Sequence, residues 1–167
     1  MKWLWGGLLT LAAICGIVAI IGVLLPQNHS ATRLAHFHQP PQAVWDVITG
    51  PPTWRPNVKS FENLPPRNGH RMWKEIDARG NAVTYEAIEE TPPFRLITQI
   101  ADPNLPYGGM WIHEISLEPG GCMLQITENG EIYNPIHRFM SRFVFGYAAT
   151  IDAAVQALKA RLGESGS

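Results

Sequence analysis

GGMWIHEISLEPGGCMLQITENGEIYNPIHRFMSRFVFGY, Gly108 to Tyr147, begins as a hairpin and ends as a helix. Trp111, Ile115 and Leu117 alternate with Glu114, Ser116 and Glu118, and Leu124 and Ile126 alternate with Gln125 and Thr127. A period of two with one apolar and one polar side is the mark of an antiparallel sheet with one covered and one wet face. Gly120-Gly121 is expected to form the two-residue turn. That register sets Leu117 against Leu124, Ile115 against Ile126 and His113 against Glu128, so the last two form a polar pair on the covered face. The pair is then a satisfied polar pair that fixes the sheet, a polar handle for a ligand in which Glu128 holds the His113 tautomer, or an acid/base couple.

After the hairpin the period changes. Asn134 is a good N-cap and Pro135 a good first helical residue. Ile136, Phe139, Met140, Phe143, Val144, Tyr147, Ile151, Val155, Leu158 and Leu162 then recur at three- and four-residue spacing, closed by Gly163. This predicts one long amphipathic helix of about 40 Å, with Phe139, Phe143 and Tyr147 facing inward and Phe145 off the stripe. Gly146 inside it marks a place for a bend or a close contact. Arg138 and Arg142 sit near the helix start, where a positive charge is disfavoured; either Glu131 or solvent offsets them, or they mark an anion site.

Upstream, turn signals at Asn68-Gly69, Arg79-Gly80-Asn81 and Thr91-Pro92-Pro93 cut the middle of the chain into strands. These are expected near 58–63, 70–77, 82–90, 95–101, 109–118 and 122–131. A further strand, 32–38, precedes a short helix started by Pro40-Pro41, with Val44, Val47 and Ile48 on its buried side. The order strand, helix pair, six strands, long helix predicts an α+β helix-grip fold: a curved antiparallel sheet wrapped around a long C-terminal helix.

The N-terminus carries an uncharged run, Trp3 to Leu25. As a helix it reaches about 35 Å, enough for a hydrocarbon core of about 30 Å. Trp3 and Trp5 suit an interfacial aromatic belt. A signal-peptide h-region is shorter, roughly 7–15 residues, and no small-x-small cleavage site follows. The run is therefore read as a retained single-pass anchor. Lys2 lies closer to it than Arg33, which favours the soluble domain on the non-cytoplasmic side. Ala12 and Gly16 give a spacing that could pack two anchors in a weak homodimer. The resulting division is anchor 1–26, linker 27–31, domain 32–163 and tail 164–167.

Composition excludes several classes. The net charge is -1 over 167 residues, so neither a nucleic acid nor a strongly charged partner is indicated. The two cysteines, Cys15 and Cys122, are too differently placed to bridge. His36-x-His38 places two imidazoles on one side of a strand without a third ligand, so no metal is expected. No Walker loop, GxGxxG or G-x-S-x-G is present, and no cofactor is implied.

The stretches PPQAVWDVITGPPTWRPNV, YEAIEETPPFRLITQI, GGMWIHEISLEPGGCMLQITENGEI and NPIHRFMSRFVFGY together resemble the START-like (SRPBCC) superfamily, in its polyketide cyclase/dehydrase branch of small bacterial proteins. The resemblance covers about Thr32 to Leu162. It implies a hydrophobic cavity between sheet and helix that takes a lipid, sterol, polyketide or other apolar small molecule, and no universal catalytic motif. The cavity is then expected to be lined by Tyr85, Trp111, His113, Ile126, Glu128, Phe143 and Tyr147. Two functions follow: a membrane-anchored, non-enzymatic lipid-binding domain, or a cyclase/dehydratase-like enzyme with His113 and Glu128 as its weak catalytic candidates. A third possibility is an interaction module with a vestigial cavity.

Overall fold

The computed structural model describes residues 2–164. The start of the expected anchor, Met1, and the tail 165–167 lie outside the described residues. The chain runs α1 (Lys2–Leu24), β1 (Asn28–Phe37), α2 (Pro41–Thr49), a single 3₁₀ turn (Pro52–Trp54), β2 (Val58–Arg67), β3 (His70–Asp77), β4 (Ala82–Thr91), β5 (Arg95–Ile100), β6 (Tyr107–Glu118), β7 (Gly121–Ile132), α3 (Pro135–Met140), a π-turn (Ser141–Phe145) and α4 (Ala149–Arg161). The seven strands form one antiparallel sheet in the order β1-β7-β6-β5-β4-β3-β2.

α1 is long and apolar enough to cross a membrane: its Trp5–Leu24 stretch has a mean hydropathy of 2.6 and is almost wholly exposed. The expected linker is mostly strand. β1 starts at Asn28, paired with Glu131 at the far end of β7, so residues 28–31 belong to the sheet. Glu164 is likewise no free tail, because its Oε1 accepts the backbone N–H groups of His38 and Gln39 at 2.9 and 3.1 Å.

The β6–β7 hairpin turns one residue earlier than the glycine pair suggests, which shifts every cross-strand partner by two. Pro119 and Gly120 occupy the turn, Gly120 at φ +86°, and Glu118 faces Gly121. Gly121 is needed in the strand, since a Cβ there would lie 1.9 Å from the Phe37 carbonyl oxygen of β1. A shift of two keeps every side chain on its expected face but changes its partner. Ile115 faces Leu124, His113 faces Ile126 and Trp111 faces Glu128.

The long C-terminal helix is broken. Asn134 caps α3 as expected, its side-chain oxygen accepting from Ile136 N and His137 N. After one and a half turns the backbone widens into the π-turn. It then stops at Gly146, whose φ +80°, ψ 147° is open almost only to glycine. α4 restarts at Ala149, and its Ile151 and Leu158 are fully buried against the sheet with Val44 of α2 and Leu124 of β7. The core thus fills one end of the space between sheet and helices.

Candidate functional site

The other end of that space is hollow. A cavity of about 1150 Å³ lies between the concave face of the sheet and the roof made by α3, the π-turn and the start of α4. Ligand pockets typically enclose ~300–1,000 Å³ with mostly apolar walls and a few convergent polar groups. Of the residues expected to line it, Tyr85, Trp111, His113, Glu128 and Tyr147 do so. Ile126 does not: it is sealed in the packed core beside Leu124, because the two-residue register shift moves it one pair deeper. Phe143 does not either. It is 59% exposed on the outer surface, and Phe145 borders the cavity in its place. The π-turn explains the exchange, since one extra residue per turn rotates every later side chain relative to a regular helix. The Phe143 ring instead packs on Phe139, with centroids 4.9 Å apart.

Two polar clusters face into this cavity. The first is built on β3, in phase with Trp73. Glu75, 6% exposed, accepts from Arg55 and, at 2.8 Å, from the Trp73 indole N–H. A buried carboxylate is tolerated because Arg55 meets its charge and two donors converge on Oε1. The Tyr85 ring stacks on Trp73 with centroids 5.6 Å apart. Burial, then the Glu75 charge, push the Tyr85 phenol up to about 12, so it remains a neutral donor. His113 sits nearby on β6, its ring 5.8 Å from that of Trp111. Burial, then the Arg55 charge, push its imidazole down to about 4, so it is neutral at ordinary pH.

The second cluster joins β1, β7 and α4. Glu128 accepts from the Thr150 hydroxyl at 2.8 Å through Oε2, and its Oε1 lies 3.4 Å from His29 Nε2. The His29 ring stacks on Tyr147, centroids 4.4 Å apart and planes 16° from parallel. Gly130 makes room for it, since a Cβ there would come within 2.3 Å of the imidazole. The expected His113–Glu128 pair is therefore absent. The histidine beside Glu128 is His29, and His113 has no carboxylate partner.

Sequence reasoning missed His29, Arg55, Glu75 and Thr150. Glu75 left a local trace, since it alternates in phase with Trp73 in His70–Asp77. His29 and Thr150 left none, because their meeting depends on β1 pairing with β7 about a hundred residues later. Four buried nitrogens on cavity-lining residues, His29 Nδ1, Trp54 Nε1, Arg55 Nε and His113 Nδ1, have no hydrogen-bond partner among the described residues. His36 and His38 do not converge: His36 Nδ1 bonds Glu118 at 2.8 Å, and His38 Nδ1 lies 3.6 Å from Glu164. Among the described residues no three metal-ligating side chains come together. Arg138 holds no anion site of the kind its position suggested. Its guanidinium is buried against the carbonyls of Leu25, Tyr133 and Val23.

Solved structures share this architecture. A START superfamily protein from Mycobacterium smegmatis superposes with a TM-score of 0.65 at 13% identity, covering 81% of this chain and 98% of that one. The fold is START-like. A protein from Mesorhizobium loti matches with a TM-score of 0.62 at 14% identity over 83% of this chain and 100% of its own. A di-domain ARO/CYC protein from the steffimycin biosynthetic pathway matches with a TM-score of 0.62 at 10% identity; this chain spans 53% of it. No family model and no curated protein matches the sequence. In START-like terms, β1–β7 form the grip, and the gripped helix is α3–α4 with its break at Gly146.

Proposed function

We propose that this START-like protein binds an apolar small molecule or lipid in the cavity and presents it at a membrane to which α1 anchors the domain. The observation that carries this reading is the cavity itself: about 1150 Å³, walled by Trp111, Tyr85, Phe145 and Tyr147, with its polar groups gathered at two places. A ligand suited to it has an apolar body and one or two hydroxyl or carbonyl groups. The unpaired nitrogens of His29, Arg55 and His113 are the groups such hydroxyls or carbonyls would satisfy, and a buried unmet donor or acceptor costs about 1–3 kcal/mol. The domain belongs, in this reading, on the non-cytoplasmic side, because Lys2 is the charge nearest the span. The test is mass spectrometry of molecules extracted from the purified full-length protein. A single apolar species near one per chain is expected; extracts containing only bulk membrane lipid in its cellular proportions would overturn the carrier reading.

A cyclase- or dehydratase-like activity is the second reading, and the His29–Glu128 pair inside the cavity favours it. A histidine beside a carboxylate is a pairing that general acid–base catalysis uses. Turnover of a candidate polyketide that Glu128→Gln abolishes while ligand retention persists would establish it; retention without turnover would leave the carrier reading alone.

A further inference from the structure

The roof of the cavity is also the part of the domain that touches the anchor. Among the described residues of α1, the covered ones are Val18, Ala19, Ile21 and Gly22, joined just past the helix by Leu25. They lie against α3. A Cβ on Gly22 would fall 2.1 Å from the Pro135 carbonyl oxygen, so the two backbones are in contact. Arg138 of α3 donates to Leu25 O at 2.9 Å and to Val23 O at 3.5 Å, capping the carbonyl end of α1. The contact runs back about 10 Å from the end of the span. If α1 crosses a membrane, α3 lies beside its last two turns, inside the boundary of the leaflet rather than beyond it.

The exposed surface of this segment fits that depth. Ile136, Phe143, Val144 and Phe145 are each more than half exposed. The stretch Pro135–Phe145 contains no acidic residue and has Arg138 and Arg142. Arg138 is buried and its two terminal nitrogens donate to three carbonyls, so its charge is held inside the protein and not turned toward lipid. Arg142 is exposed near the Tyr147 ring, at 6.0 Å, where a long side chain can reach lipid phosphates. An exposed apolar patch with an exposed arginine at its edge and no acidic residue suits an interfacial membrane segment. The same stretch borders the cavity through His137, Met140, Ser141 and Phe145, and it ends at the backbone break of Gly146.

We propose that Ile136, Phe143 and Val144 are seated in the acyl region of the leaflet where α1 ends, so that the cavity wall between Met140 and Tyr147 fronts the bilayer rather than water. The proposal rests on the reading of α1 as a membrane span. It commits the patch to lipid, with no protein partner. Ligand exchange then passes between bilayer and cavity through the π-turn, whose wide hydrogen bonding and glycine end make it the weakest part of the roof.

The test uses the full chain with Cys15 replaced by Ser; Cys122 is buried. Single cysteines at Phe143, Ile136, Leu117 and Ile14 are labelled with the fluorophore NBD, and the protein is reconstituted into phosphatidylcholine vesicles. All four positions are exposed in the protein, so the substitutions leave the core intact. Labels at Phe143→Cys and Ile136→Cys are expected to emit at shorter wavelength. They should resist aqueous iodide several-fold better than Leu117→Cys and be quenched by nitroxide-labelled lipid. If Ile14→Cys is shielded while Phe143→Cys is quenched by iodide like Leu117→Cys, the docking proposal is wrong and the anchor stands. If Ile14→Cys is also open to iodide, the anchor reading and the proposal fall together.

Discussion

The concave face of one sheet meets two kinds of neighbour along its length. At one end Phe37, Ile115, Cys122 and Leu124 are covered by α2 and α4 and are nearly or wholly inaccessible. At the other end the same strands carry Trp111, His113 and Glu128, which face a cavity roofed by α3 and the π-turn. The strands do not change; the helix over them does. α4 is regular and presses Ile151 and Leu158 onto the sheet, whereas the backbone ahead of it widens, breaks at Gly146 and stands clear. A hollow in an otherwise close-packed interior must be supported by its rim, and here the packed end, the Arg55–Glu75 pair and α1 are that rim.

The contrast is broken most forcefully by truncation at the packed end and at the hollow end. Leu124→Ala or Leu158→Ala should lose about 2–5 kcal/mol in urea denaturation, because both side chains are fully enclosed. Met140→Ala, in the cavity roof, should lose less than about 1 kcal/mol. Equal losses would mean that the roof packs as tightly as the core.

The next effect is on pH. The His113 imidazole is held down to about 4 in the fold, against 6.5 in the unfolded chain. The unfolded chain therefore binds a proton as pH falls below 6.5 while the folded one does not, so stability is full above 6.5 and declines toward 4. The loss approaches about 3 kcal/mol at most. His113→Gln should flatten that part of the pH–stability curve, and an unchanged slope would place its cause elsewhere. Gly146→Ala comes third. A side chain at φ +80°, ψ 147° is strained by about 1–3 kcal/mol, which a lowered melting temperature should report. The smallest effect is that of Glu128→Gln, which keeps the Thr150 bond and weakens only the contact with His29. Its stability change should stay under about 1 kcal/mol, while affinity for a hydroxyl-bearing apolar probe changes more.

The strands were legible because each carries its own alternation and its own turn residues, as did the cap at Asn134-Pro135 and the apolar run of α1. The faces of β6 and β7 were also legible, which is why Trp111, His113 and Glu128 were placed in the cavity. Their partners were not. Local rules favour Gly120-Gly121 as the turn, and that choice is overridden because Gly121 lies in the strand against the Phe37 carbonyl of β1. The break in the C-terminal helix had one local sign, Gly146, which an unbroken apolar period outweighed. That period exchanged Phe143 for Phe145. The start of β1 was not legible because Gln27 to Ala31 reads as a linker, and residues 28–31 become strand only by pairing with β7. The polar centre of the site, His29 with Glu128, was lost with it.

The central claim is that one end of the sheet is packed and the other takes an apolar guest. The most direct measurement is methyl NMR of the full chain in detergent, with ¹³C-labelled methionine and isoleucine methyls, during titration with 2-naphthol. Met140, Ile48 and Ile100 line the cavity, whereas Ile115 and Ile151 lie in the packed core and Met72 is buried away from the cavity. The account predicts saturable shifts at Met140, Ile48 and Ile100 with the other three still. Uniform small shifts across all six, or saturable shifts at Ile115 and Ile151, would contradict it.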